Sequence, residues 1–408
     1  MDTFKYLLLG GGMSAGYAAK EFVTQGIEAG ELCIVSMDQH PPYQRPPLSK
    51  SYLAGEDSEE DILINPRSFY DENGIDLRLK TRVTSVDLDE RTATTASDVS
   101  IGYEILIIAT GSWVRYLDIP GSDLDGVLYL RDMEMSDAIR DAAQNADRAV
   151  VVGGGFIGTE IAAYLAQTDT KTTLAYRQDR LIATFFTEEM SRAYEDAFTD
   201  HDVELIAGAD VAGFEGDGVV SAVRLADGSS IPADMVVCGV GAVQEVGLFE
   251  DTDIEADGLI PVDEYLRTAR PNVYACGDVA RIYDPYFDKD RHIEHEDNAR
   301  RSGKHVARMV MGDQDPYDYL PYFWSEVFDF SWELWGDTAE ADHVFHRKAQ
   351  RDEDMVVIWT KGNRVVAAWG PWTMPKDDKK LLQQWIKSGE AVDVEKLADE
   401  TTSIADLQ

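Results

Sequence analysis

The chain has 408 residues, 44% of them hydrophobic, and 76 acidic against 37 basic side chains give a formal net charge of −39. That length predicts two or three domains rather than one, with 8 Trp, 18 Tyr and 14 Phe to fill their cores. The charge argues against nucleic acid and anionic membranes as partners, because long-range repulsion opposes approach, and no stretch reaches the ~20 apolar residues of a membrane helix.

The first predicted element is a buried parallel strand over 4–10, which runs into Gly10-Gly11-Gly12-Met13-Ser14-Ala15-Gly16. A helix is expected over 14–25, then a strand over 31–37 that ends at Asp38. This is the G-x-G-x-x-G/A arrangement of a dinucleotide-binding βαβ unit. Its glycines permit a tight turn and let a pyrophosphate rest on the positive end of the helix. The carboxylate after the second strand suits ribose hydroxyls. Because a strand starts so near Met1, no signal or transit peptide is expected. The end, Ile404-Ala405-Asp406-Leu407-Gln408, matches no retention or lipidation signal, so a cytoplasmic protein is the expectation.

Pro41-Pro42-Tyr43-Gln44-Arg45-Pro46-Pro47-Leu48-Ser49-Lys50 can be neither regular helix nor central strand. Residues 76–110 alternate in a β pattern and finish in Ala109-Thr110-Gly111. A second glycine turn, Gly153-Gly154-Gly155-Phe156-Ile157-Gly158, follows Val150-Val151-Val152 and opens a second βαβ unit with its second strand near 172–176. One such turn is a common device; two predict two dinucleotides held face to face, a flavin served by a nicotinamide. Near 272–280 a short apolar strand delivers Asp278, as if the first module resumed. The fold class expected is α/β: two Rossmann-like dinucleotide-binding domains plus a C-terminal α+β domain. The FAD-binding domain would comprise 1–112 and 241–313, the NAD(P)H-binding domain 113–240, and the aromatic-rich C-terminal domain 314–408.

Cys33, Cys238 and Cys276 sit singly in or beside apolar strands. With no C-x-x-C or C-x4-C pair, neither a redox dithiol nor a zinc site is expected. Lysine is scarcer than arginine and acids are spread along the whole chain. That composition suits a high-salt cytoplasm, where the screening length falls to ~3 Å at molar salt.

The two glycine turns, Ala109-Thr110-Gly111 and Cys276-Gly277-Asp278 resemble the two-dinucleotide flavoprotein reductases, the group of glutathione reductase, the ferredoxin reductases and apoptosis-inducing factor. Within that group, Gly10 to Lys50, Glu294 to Arg300, Tyr317 to Phe323, Phe328 to Trp332 and Gly336-Asp337 are similar to monodehydroascorbate reductases. The resemblance covers nearly the whole chain. It implies that Gly12, Ala15 and Gly16 bracket the FAD pyrophosphate, with Asp38 at the ribose and Gly10, Met13 and Ser14 also contacting FAD. Arg45, Val83, Ala109, Arg131 and Gly277 would touch the same cofactor, and Asp278 its ribityl chain. Glu294, His295, Glu296 and Trp324 would lie beside the flavin. Lys50 would stand near flavin N5 with Glu160 as its partner. An ammonium there stabilises negative charge on the reduced ring, and a carboxylate keeps that buried cation paired. Gly153, Gly155, Phe156, Ile157, Gly158 and Gly241 would hold the nicotinamide cofactor. Arg300 matches the residue that binds the substrate radical anion, a task suited to a permanently charged planar donor.

Two departures from the family pattern stand out. Trp324 replaces a tyrosine and resembles the flavin-covering tryptophan of ferredoxin reductases. Gln178 stands where NADH-using relatives place an acid, between Arg177 and Arg180, which resemble the phosphate-binding arginines of NADPH enzymes. NADPH is therefore expected, with NADH as the alternative. The function implied is electron transfer from NAD(P)H through FAD to a one-electron acceptor, foremost the monodehydroascorbate radical. The alternatives are a ferredoxin-, rubredoxin- or quinone-type reductase and a redox-gated interaction protein like apoptosis-inducing factor. For an acidic iron–sulfur partner, Arg291, Arg300, Arg301, Lys304 and Arg308 would supply a basic patch. A monomer or weak dimer is expected.

Overall fold

The computed structural model describes residues 1–348, 355–399 and 402–407. Asp2–Leu9 is the middle strand of a mainly parallel sheet, pairing with Leu32–Val35 on one side and Ser100–Ile108 on the other. It starts earlier than its apolar run because Asp2 and Thr3, though exposed, still pair with Ile101 and Gly102. Asp76–Arg78 extends the sheet beyond Leu32–Val35, and the hairpin Val83–Asp87/Thr92–Thr95 joins Ser100–Ile108 in antiparallel fashion. Far along the chain, Val273–Ala275 returns to pair in parallel with Leu106, Ile107 and Ile108. Both faces of this sheet are covered, so its strands read as unbroken hydrophobic runs rather than alternations.

A second parallel sheet has the order Glu204–Ala207, Lys171–Tyr176, Arg148–Val152, Met235–Cys238, Val127–Tyr129. The chain enters and leaves it through two short strands, Ser112–Val114 and Ala242–Gln244, which pair with each other. A three-stranded antiparallel sheet over 211–232 packs on its flank.

The two glycine turns are built alike. Gly10 has φ +119°, and a Cβ on it would fall 2.1 Å from the carbonyl oxygen of Ala109. Gly153 has φ +123°, and its Cβ would fall 2.2 Å from the carbonyl oxygen of Gly239. In each case one strand end passes too close to its neighbour for any side chain.

The C-terminal unit is an antiparallel sheet in the order Tyr322–Val327, Phe330–Gly336, Arg364–Pro371, Met355–Lys361, His343–Lys348. Helix Lys376–Ser388 covers one face with Leu382, Trp385 and Ile386. The other face meets the second nucleotide module, where buried Trp332 packs on Phe156 and Phe186. Cys33, Cys238 and Cys276 are buried free thiols, each pushed up to about 12 by burial. No helix among the described residues is long and apolar enough to cross a membrane.

Candidate active site

A cavity of about 1550 Å³ opens where the three units meet, larger than the roughly 300–1,000 Å³ of an ordinary ligand pocket. Gly10, Gly12, Met13 and Ser14 of the first turn line it, as do Gly155, Phe156 and Ile157 of the second. Helices Met13–Thr24 and Phe156–Ala166 both start at a glycine N-cap with no side-chain cap. Their first-turn N–H groups are thus left for another acceptor. A Cβ on Gly12 or Gly155 would meet no protein atom within 4 Å. These open cradles on positive helix ends fit two dinucleotide pyrophosphates.

Ala15, Gly16, Gly153, Gly158 and Gly277 do not line the cavity. The glycines among them serve packing behind it: a Cβ would lie 2.7 Å from Pro42 on Gly16, 1.9 Å from the Gly153 oxygen on Gly158, and 2.4 Å from Ser14 Oγ on Gly277.

Asp38 lies on the wall beside the first turn. Its carboxylate accepts from the Tyr43 hydroxyl at 3.1 Å and the His40 amide at 3.0 Å, with the Arg45 guanidinium 3.7 Å away. Arg45 also donates to the Tyr43 hydroxyl at 2.6 Å and the Arg131 carbonyl at 2.5 Å, which fixes its fork. Arg131 stands 3.5 Å from Asp278, which also accepts from the Ser112 hydroxyl at 2.7 Å. Burial, aided by Arg45, holds the Arg131 guanidinium below its usual range. Val83, Ala109 and Gly241 complete this part of the lining.

The proline run ends in a short turn, Pro46–Ser49, that delivers Lys50 to the wall. The Lys50 ammonium pairs with Oε1 of Glu160, on helix Phe156–Ala166, and lies 5.6 Å from the Trp324 ring centroid. The Trp324 indole N–H donates to Glu296 at 3.0 Å, and its ring leans on Trp372, the two centroids 5.6 Å apart. Burial raises the carboxyl of Glu296; burial and then Asp278 raise that of Glu294, which accepts from Gln244 at 2.8 Å. His295 is the N-cap of helix Glu296–Val310, and burial pushes its imidazole down to about 4. Both ring nitrogens stand 3.3 Å from a backbone N–H, of Asp297 and of Trp324. A neutral ring can accept at only one of them.

Besides Ala15 and the four packing glycines, four more expected site residues lie outside the cavity lining. Arg300 pairs with Asp297 and lies 3.9 Å from Glu296, one turn back along its helix. Arg177 and Gln178 are exposed after strand Lys171–Tyr176, and Arg180 pairs with Asp179 at 3.1 Å. Arg291 does not contribute to a surface patch: it is internal, 2.5 Å from Asp284 and 2.9 Å from Asp337. Ser325 and Ser112 were not singled out by sequence reasoning, and no local pattern marks a serine whose partner is a distant carboxylate.

Residues 4–303 match the pyridine nucleotide-disulphide oxidoreductase family and residues 322–408 the reductase C-terminal family. The chain is 36% identical to a monodehydroascorbate reductase of Pisum sativum, over 99% of both proteins. It superposes on a ferredoxin reductase of Rhodopseudomonas palustris with a TM-score of 0.92 and 28% identity, covering 99% of each chain. The reductase fold of a covalent putidaredoxin reductase–putidaredoxin complex matches with a TM-score of 0.92 at 27% identity, over 100% of this chain and 98% of that one. The chain thus belongs to the pyridine nucleotide-disulphide oxidoreductase family, as an NAD(P)H-dependent FAD oxidoreductase of the monodehydroascorbate reductase-like kind.

Proposed function

We propose that the enzyme takes electrons from NADPH through FAD to the monodehydroascorbate radical and so regenerates ascorbate. The supporting observation is the grouping of Lys50, Glu160 and Trp324 on one cavity wall, with Arg300 one helical turn beyond the Glu296 that holds Trp324. Bound FAD supplies the conversion of one hydride into two one-electron transfers. The chain's own residues bind and orient. The first glycine turn and Asp38 hold FAD, and the second turn holds the nicotinamide cofactor. Lys50 and Glu160 place a paired cation at the wall. Arg300 offers its guanidinium to an enediolate anion. Thiols held near 12 by burial give the chain no thiolate to pass electrons through, which favours an acceptor reached directly.

In this reading Arg177 and Arg180 select NADPH by charge. FAD is bound by 1–112 with 241–313 and the nicotinamide cofactor by 113–240, while 314–408 closes the acceptor side. The protein works in the cytoplasm as a monomer or weak dimer.

A second reading, a reductase for a small acidic iron–sulfur protein, draws on one feature. Arg300, Arg301, Lys304 and Arg308 share helix Glu296–Val310, and burial, then Arg300, push the Lys304 ammonium down against the opposing charge of Glu21.

The deciding experiment is steady-state NADPH oxidation by the FAD-loaded protein at high salt while ascorbate oxidase generates the radical. Fast turnover that Arg300→Ala abolishes supports the first reading. No turnover with the radical, beside rapid ferricyanide reduction and salt-dependent binding of a ferredoxin, supports the second.

A further inference from the structure

Glu160 is held by more than its lysine. Ser325, fully buried in strand Tyr322–Val327, places its hydroxyl 2.7 Å from Oε1, the oxygen that Lys50 also meets. Ser49, equally out of solvent, places its hydroxyl 2.5 Å from Oε2. The carboxylate is 9% exposed. Its partners come from two places, Ser49 and Lys50 from the first module and Ser325 from the C-terminal sheet, while Glu160 itself sits on the second module's helix. Trp324, one residue before Ser325, lines the cavity, whereas Ser325 does not.

A glutamate and a lysine on flexible stems keep one geometry only if other groups remove their freedom, since long side chains otherwise retain many rotamers. Donors on both carboxylate oxygens fix its plane, and charge-assisted hydrogen bonds are about twice as strong as neutral ones. The position of the Lys50 ammonium over Trp324 follows from that plane.

We infer that Ser325 is a positioning residue: through Glu160 it holds the Lys50 ammonium against the flavin, and so ties docking of the C-terminal sheet to the chemistry at the cavity wall. This rests on the reading that the Lys50–Glu160 pair faces the flavin. Ser325 touches neither cofactor nor acceptor in this role.

The test uses full-length, FAD-loaded protein and reads two quantities, the flavin midpoint potential and the rapid-mixing rate of flavin reduction by NADPH. Ser325→Ala should keep its FAD, lower the potential and slow reduction about tenfold, equivalent to about 1.4 kcal/mol. Ser325→Thr, which restores the hydroxyl, should recover both to within about twofold. Should the alanine variant not fold, Ser325→Cys, with its weak donor, must show the same two shifts. Wild-type potential and rate in Ser325→Ala, or equal losses in the alanine and threonine variants, would overturn the proposal and leave Ser325 as packing. Lys50→Met separates the layers. If it lowers the potential while Ser325→Ala does not, only the role of Ser325 falls; if it changes nothing, the pair does not face the flavin and both readings fall.

Discussion

Gly303 lies directly on Ser14: a Cβ on Gly303 would fall 2.3 Å from the Ser14 carbonyl oxygen. Helix Met13–Thr24, which carries the first glycine turn, and helix Glu296–Val310, which carries Arg300, therefore meet backbone to backbone. Gly303→Ala must push them apart, and overpacking of this kind costs about 1–3 kcal/mol. We expect a lower melting temperature together with weaker FAD binding, because one displacement moves both walls. Calorimetry with and without added FAD checks this; a melting loss that saturating FAD fully restores would contradict it.

Gly10 and Gly12 should fail differently. Gly10→Ala combines φ +119° with a Cβ 2.1 Å from the Ala109 oxygen, so the folded state itself is strained. Gly12 has φ −82°, and its Cβ points into open space. Gly12→Ala should fold with an unchanged apoprotein melting temperature yet bind FAD at least tenfold more weakly, as flavin fluorescence titration would show.

In the proposed reading, cofactor choice depends on Arg177 and Arg180. With Gln178 between them in place of an acid, kcat/KM should favour NADPH. Arg177→Glu should reverse that ratio, since a carboxylate bonds a ribose hydroxyl and repels a phosphate. A wild-type ratio in favour of NADH would refute the assignment. Asp179, paired to Arg180 at 3.1 Å, tempers the preference, and Asp179→Asn should strengthen it.

His40 bridges two carboxylates, 2.9 Å from Glu59 and 2.8 Å from Glu134. Burial lowers its pKa, but the hydrogen bonds to Glu59 and Glu134 outweigh this and leave it raised above 6.5, while both glutamates are lowered. A folded-state pKa above the unfolded one binds protons on folding. The bridge therefore contributes fully between the unfolded glutamate value of 4.5 and pH 6.5; it is lost as pH rises through the raised His40 value and as pH falls through the lowered values of Glu59 and Glu134. His40→Gln should lower the melting temperature at pH 6 and leave it nearly unchanged at pH 9. Equal losses at both pH values would show that the ring only packs.

Much of the scaffold could be read from the chain because its signals are local. A glycine forced by a passing carbonyl, as at Gly10 and Gly153, leaves a motif a few residues long. The return of the first sheet at Val273–Ala275 was legible from Cys276-Gly277-Asp278, an apolar strand that ends in an acid. What escaped notice joins distant segments. Ser49 and Ser325 meet Glu160 across 111 and 165 residues, and a serine in either place looks like any small residue. The short strands Ser112–Val114 and Ala242–Gln244 pair only because two module ends come together. Arg291 looked like surface charge; its partners Asp284 and Asp337 belong to other turns of chain and enclose it.

The pairing of Leu106, Ile107 and Ile108 with Val273–Ala275 has a consequence for how the protein is made. Until the ribosome has passed residue 275, those three apolar positions have a neighbour on one side only, Leu7, Leu8 and Leu9. At ~5–20 residues per second the interval is about 10–30 s. Throughout it a bare hydrophobic strand edge, the usual template for aggregation, waits while the guest module folds inside its unfinished host. A chain that stops before residue 273 should therefore aggregate rather than persist as a half-protein. In the proposed reading FAD, whose cavity is lined from residue 9 to residue 338, settles only after the last sheet has closed over it.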